Sequence, residues 1–140
     1  MKFQVTFDAN DPARLADFWV LALGYEIQPP PPGFDSWDDW ATGMGIPEEN
    51  WNDARALVDP TGEGPRIFFQ RVPEGKTAKN RLHLDINVAA DAAPEQRRSL
   101  VEDAADRLAS QGATLVGPME ERGSFWIVMR DPERNEFCVQ

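Results

Sequence analysis

The feature that most constrains this chain is that its order of elements reads twice. From Phe3 the order is strand, helix, glycine, strand, strand, Asp-Pro turn, strand, and from Arg81 the same order begins again. Gly24 corresponds to Gly112, Asp59-Pro60-Thr61-Gly62 to Asp131-Pro132-Glu133-Arg134, and Gln4 to the region of His83. Identity between the halves is slight, so the repeat is carried by element order and by the paired Asp-Pro turns. Two βαβββ modules are the simplest account. The expected fold is therefore α+β: a cupped mixed sheet around a shared cavity, with the helices outside. All 140 residues form one domain in this reading, with module one over about 1–72, a polar link over 72–79 and module two over about 79–140.

Local signals place the elements. Asp11 is a candidate N-cap and Pro12 suits the first helical position. Leu15, Phe18, Trp19 and Ala22 then recur at helical spacing up to Gly24, which predicts a helix over 12–23. Tyr25 to Gln28 reads as a short strand that ends at four prolines, Pro29 to Pro32. Residues 29–53 form a Trp-rich, acidic insert, too long to remain structureless inside a compact domain. A short helix is expected from Ser36 to Met44 with Ser36 as cap, and a further turn near Pro47 to Trp51. Ala56–Val58 and Arg66–Gln70 read as strands three and four, and Arg81–Val88 as strand five. Pro94 opens a second long helix with a stripe of Leu100, Val101, Ala104, Ala105, Leu108 and Ala109, stopped by Gly112. Ala113–Val116, Ser124–Met129 and Glu136–Gln140 complete the strands.

Two of these strands carry a polar row backed by an apolar one. Gln4, Thr6 and Asp8 alternate with Phe3, Val5 and Phe7, and His83, Asp85 and Asn87 alternate with Leu82, Leu84, Ile86 and Val88. His83 is the sole histidine of the chain. Two such rows fit a sheet whose outer face packs on helices and whose inner face lines a wet pocket. Read alone, the His83 row also suits hydrogen bonding across the sheet in support of strand pairing. Trp37, Trp40 and Trp51 in the insert need something to cover, either the sheet as a satellite core or the pocket as its lid.

Composition removes several function classes. With 24 acidic and 14 basic residues the net charge is -10, so the long-range field repels nucleic acid and anionic membrane. No apolar run is long enough to span a bilayer and no leader pattern precedes Phe3, so a cytoplasmic location is expected. The single Cys138 excludes an internal disulfide and a cysteine-built zinc site. It sits in no Cys-His-Asn pattern that would mark a nucleophile.

Four segments carry a family resemblance: Asp11-Pro12-Ala13-Arg14-Leu15-Ala16-Asp17-Phe18-Trp19, Leu23-Gly24-Tyr25, Lys79-Asn80-Arg81-Leu82-His83-Leu84-Asp85, and Asp131-Pro132-Glu133-Arg134-Asn135-Glu136-Phe137-Cys138. Through them the chain resembles glyoxalase-like domain proteins of the vicinal oxygen chelate superfamily, which also holds glyoxalase I, bleomycin-resistance proteins and extradiol dioxygenases. The resemblance covers nearly the whole chain except the insert. It speaks for the fold more than for an activity, because this scaffold hosts many chemistries.

In metal-using members the resemblance implies ligands from the first and last strands of each module. Gln4 falls at the first-strand position and His83 close to its counterpart. The usual closing carboxylate position of the second module is Cys138, with Glu136 on the same face as a substitute, and Gln70 or Phe68 is the candidate in the first. Without secured carboxylates, Gln and neutral His leave the charge of a hard divalent ion uncompensated. The favoured reading is a small-molecule-binding protein without a tightly bound metal, its ligand held by Gln4, His83, Asp85, Trp37, Trp40 and Trp51. The alternative is a metal-dependent lyase, isomerase or dioxygenase acting on vicinal oxygens, with Gln4, His83, Gln70 and Glu136 around a divalent metal. Whether the protein is an enzyme stays open at this point. A homodimer is expected, since paired modules leave sheet edges to cover.

Overall fold

The computed structural model describes residues 3–140, which part into two compact units between Gly75 and Lys76. The first unit runs β1 (Gln4–Ala9), α1 (Pro12–Leu23), β2 (Glu26–Ile27), α2 (Trp37–Gly43), a single 3-10 turn (Glu48–Asn50), β3 (Ala54–Val58) and β4 (Arg66–Arg71). Its sheet has the order β1-β4-β3-β2, with β1 parallel to β4 and the other pairs antiparallel. The second unit runs β5 (Asp85–Ile86), α3 (Pro94–Ser110), β6 (Thr114–Glu121), β7 (Ser124–Arg130) and β8 (Glu136–Val139). Its order is β5-β8-β7-β6, again with the first and last strands parallel. Strand for strand, this is the same βαβββ topology twice.

In the first unit, Asp11 caps α1 by accepting from the Arg14 N–H at 3.3 Å, Pro12 opens the helix, and Gly24 closes it in the left-handed conformation at φ 68°. The helix buries Leu15, Ala16, Phe18 and Trp19 against one sheet face. Trp19 meets Phe7 with ring centroids 5.3 Å apart, and Phe7 meets Phe69 at 5.3 Å. Full burial of each such side chain contributes about 1.5 to 3 kcal/mol, so this aromatic seam holds the unit together. Strand alternation then sends Gln4, Thr6, Asp8, Arg66, Phe68, Gln70, Ala54 and Ala56 to the other face.

The second unit repeats the scheme, with Val101, Ala104, Ala105 and Leu108 of α3 and Ile86, Ile127, Met129, Phe137 and Val139 of the sheet forming its core. Arg122 at φ 52° and Gly123 at φ 81° make the tight two-residue turn between β6 and β7. The turn before β8 is built on Asp131, 1% exposed. Its carboxylate accepts from the Glu133 N–H at 3.0 Å and the Asn135 N–H at 2.9 Å, and from Asn135 Nδ2 through both oxygens.

Strand two is shorter than expected, Glu26–Ile27, and strand three starts earlier, at Ala54; the larger departures concern strands five and six and the flanks of α3. Strand five extends over Asp85–Ile86 rather than 81–88; in the register that pairs Asp85 with Cys138, β8 begins at Glu136, level with His83, just after the Asp131 turn. Arg81 and Leu82 thus lie beyond the start of β8, and Leu82 is 67% exposed instead of packing with Leu84 and Ile86. Strand six is longer than expected, reaching Glu121. A bulge between Leu115 and Gly117 and the edge position of the strand let it absorb Gly117 and Pro118. Leu100 and Ala109 flank the buried stripe of α3 and stay exposed.

Candidate functional site

The insert is not a loose loop. Ser36 caps α2 by accepting from the Asp39 N–H at 3.0 Å, and Asp38 and Asp39 occupy the positive first turn. Trp37 and Trp40 pack edge to face, 5.3 Å between centroids and 82° between planes. Trp37 Nε1 donates to the Gln28 carbonyl at 2.6 Å and Trp51 Nε1 to the Ile46 carbonyl at 2.9 Å, which fixes two of the three indoles. Among the described residues Trp40 Nε1 has no acceptor. Asn52 ties the end of the insert to the start of α1: its Oδ1 accepts from the Ala13 N–H at 2.8 Å and its Nδ2 donates to Asp11 Oδ1 at 2.8 Å. This Asn52 bond, with help from the Arg14 backbone, lowers the Asp11 carboxyl below its usual value.

Trp37, Trp40 and Trp51 line one pocket of about 460 Å³ with Ala56 and Phe68 from the helix-free face of the first sheet. That volume lies in the range of small-ligand sites. Its polar contribution comes from Asp38, Asn50, Asp53, Arg55 and Arg66. Arg55 Nη1 donates to the Trp51 and Ala54 carbonyls at 2.8 and 3.1 Å, and Asp53 pairs with Arg71 at 3.6 Å. Arg66 is held by Gln28 Oε1 at 2.6 Å and by Gln4 Oε1, and its Cζ sits 5.1 Å above the Phe68 ring. Gln4 is thus one residue behind the pocket, acting on Arg66, and Gln70 donates to Asp8 at 2.9 Å.

In the second unit His83 and Asp85 come together, Nε2 to Oδ1 at 3.3 Å, with both side chains about half exposed. Asp85 faces Cys138 across the parallel β5–β8 pair, and donor atoms of His83, Asp85 and Cys138 lie within 4.8 Å of one another. Burial, then the neighbouring Asp85 carboxylate, pushes the Cys138 thiol up to about 11. Glu136 lies outside this group. It pairs with Lys79 and, at 3.5 Å, with Arg130, and the Lys79 bond is the main reason its carboxyl falls below the usual range.

Tested as a metal site, the donor set divides by unit. The first unit offers two amides already engaged, Gln4 with Arg66 and Gln70 with Asp8, and its closing strand presents Arg66, Phe68 and Gln70 where a carboxylate is needed. The second offers one imidazole, one carboxylate and one protonated thiol, a set that suits a borderline ion such as zinc better than a hard one such as manganese. Among the described residues, neither unit supplies the oxygen-rich shell of a hard divalent cation.

The sequence does not mark Arg66 and Arg55 as pocket residues: Arg66 opens a strand whose faces its pattern leaves unassigned, and Arg55 precedes the expected start of strand three at Ala56, whereas β3 begins at Ala54. Nor does it show that folding gathers Lys76, Lys79, Arg130 and Arg134 around Glu136, since no run in the chain announces that basic pocket.

Comparison with known proteins follows the fold. A family profile described as the glyoxalase-like domain matches residues 4–140. A glyoxalase/bleomycin resistance protein/dioxygenase family enzyme from Burkholderia phytofirmans superposes at TM-score 0.64 with 18% identity, covering 97% of this chain and 94% of that one. The fosfomycin resistance protein FosX from Mesorhizobium loti gives TM-score 0.63 at 11% identity, covering 100% and 90%. A mutant FosX from Listeria monocytogenes, in complex with Mn(II) and a dihydroxypropylphosphonic acid, gives 0.62 at 11%, covering 98% and 86%. No curated protein matches the chain in sequence.

Proposed function

From a chain that belongs to the glyoxalase-like domain family, within the vicinal oxygen chelate superfamily, we propose a small-molecule-binding protein that takes a partly aromatic ligand without a tightly held metal. The observation that carries this reading is the pocket itself. Trp37, Trp40, Trp51 and Phe68 supply flat apolar walls, and a few polar groups stand at fixed positions among them. Two indole N–H groups are spent on backbone carbonyls, so these rings act as walls, while Trp40 Nε1 is left to donate to a ligand. Gln4 acts through Arg66. His83 with Asp85 is a separate polar group, within the second unit, that we propose also contacts a ligand. A cytoplasmic location belongs to the same proposal; no described helix is long and apolar enough to cross a membrane.

Metal-dependent chemistry is the competing reading, favoured by the His83–Asp85–Cys138 group and by the Mn(II) in the Listeria FosX complex. There the ion would polarise vicinal oxygens of the substrate. The donor chemistry speaks against a hard ion in this chain. Elemental analysis of protein purified without an affinity tag decides between them: metal well below one per chain is expected. Stoichiometric zinc, nickel, manganese or iron that disappears in His83→Ala would overturn the metal-free reading. Tryptophan-quenching titrations with aromatic small molecules test the pocket, and quenching that survives Trp40→Ala and Trp51→Ala unchanged would refute its placement.

A further inference from the structure

We infer that the ligand of the Trp-walled pocket carries an anionic group, a carboxylate or its equivalent, seated on Arg66. This inference rests on the reading of that pocket as the ligand site and adds the charge its ligand must bring. Arg66 is half-buried and held from three sides: Nε by Gln28 Oε1, Nη1 by Gln4 Oε1, and the guanidinium plane over Phe68. All three partners are neutral. They fix the orientation of the fork without cancelling its charge, and among the described residues no carboxylate pairs with it. That is notable in a chain with 24 acidic residues against 14 basic ones.

The other charges of the pocket do not supply the missing anion. Asp53 belongs to the lining but pairs at 3.6 Å with Arg71, which lies outside it. Arg55 donates Nη1 to two backbone carbonyls, so it adds a second cation with no acidic partner among the described residues. Asp38 stands exposed in the first turn of α2 and is the one carboxylate of the described lining left unpaired. Neither guanidinium of the lining has a carboxylate partner among the described residues, while its two carboxylates stand apart, Asp38 in the first turn of α2 and Asp53 against Arg71. A guanidinium keeps five N–H donors in a rigid plane, and the two glutamines use two of them. The other N–H groups have no partner among the described residues, and a fork already held by Gln28, Gln4 and Phe68 lowers the ordering cost of binding a carboxylate.

The test uses three probes of one shape on the full chain: naphthoate, naphthamide and naphthylmethylammonium, each titrated by tryptophan quenching, with Trp40→Phe locating the signal. Naphthoate should bind about tenfold to a hundredfold more tightly than naphthamide, the range of a charge-assisted contact. The preference should vanish in Arg66→Gln, persist in part in Arg66→Lys, and shrink at high ionic strength. Equal affinity for acid and amide, or tightest binding of the ammonium, overturns the anion assignment and leaves the pocket reading standing. Acid against amide on the wild-type protein decides the question even if Arg66→Gln folds poorly. Failure of all three probes to bind overturns the pocket reading, and the inference with it.

Discussion

Asn52→Ala is the most informative perturbation, because one side chain fastens the Trp-rich insert to the scaffold. The substitution removes the acceptor of the Ala13 N–H, an amide in the first turn of α1, and the donor to Asp11 Oδ1. A neutral bond of this kind contributes about 1 kcal/mol, and one to a carboxylate about 1.5 to 3 kcal/mol when water is excluded. Both sites are partly open, so the second figure is discounted and the expected loss is about 2 kcal/mol. For a domain of this size that lowers the midpoint of thermal unfolding by roughly 4 to 8 °C. Urea unfolding at neutral pH reads the loss directly, as a shifted midpoint with an unchanged slope.

The pH dependence provides a second check. Asp11 titrates below its ordinary value of 3.8 in the folded protein, chiefly through Asn52. A depressed carboxyl stabilises the fold above its unfolded pKa, and that stabilisation is lost as pH falls through the folded value. The gap between wild type and Asn52→Ala should therefore be widest at neutral pH and narrow in acid below the carboxylate range. A gap under about 0.5 kcal/mol at neutral pH would show that water replaces both bonds at little cost. A gap that stays constant into acid would show that the Asp11 bond is not its source.

Three further outcomes are expected. Asp131→Ala strips the acceptor from the Glu133 and Asn135 N–H groups and from Asn135 Nδ2 in a buried turn, and should cost at least about 3 kcal/mol in urea unfolding. Asp131→Asn, which keeps an oxygen there, should cost clearly less. Cys138, with its thiol pushed up to about 11, should alkylate slowly near pH 8 with a rate still climbing above pH 10, and Asp85→Asn should speed the reaction. A plateau below pH 9 would contradict this. Light scattering at micromolar concentration should give the mass of a dimer, consistent with exposed Leu115, Val116 and Met119 on the edge strand β6; a monomer mass would refute it.

Much of the fold was legible because its signals are local. The Asp11 cap, Pro12, Gly24, the Ser36 cap and the paired Asp-Pro turns each act within a few residues, and the sheet topology follows from repeating them. The exposure of Arg81 and Leu82 was not legible, since it depends on where β8 starts, just after the turn in which the Asp131 carboxylate gathers the Glu133 and Asn135 amides some fifty residues later. The alternation of Leu82 with Leu84 looked like strand pattern and lacked only a partner. At the candidate site, the three Trp announced themselves by size in an acidic stretch. Arg66 did not, because an arginine at a strand start reads as solvated until Gln4 and Gln28 are seen to close on it from opposite sides.

The position of the insert within the first unit has an evolutionary consequence. Residues 29–53 lie inside the chain segment closed by the parallel pairing of Gln4 with Arg66, 62 positions apart. Once a closure is that long, its entropy changes slowly: a doubled loop costs only about 0.6 kcal/mol more. The aromatic seam of Phe7, Trp19 and Phe69 lies on the opposite face of the sheet and takes no part in holding the indoles. A lineage, or a protein engineer, can therefore rewrite one wall of the pocket, altering its depth, stacking surface or charge, while the sheet beneath keeps its register. The insert behaves as a replaceable cassette, fastened chiefly by Asn52, the Trp37–Gln28 hydrogen bond and the two ends of the strands it interrupts.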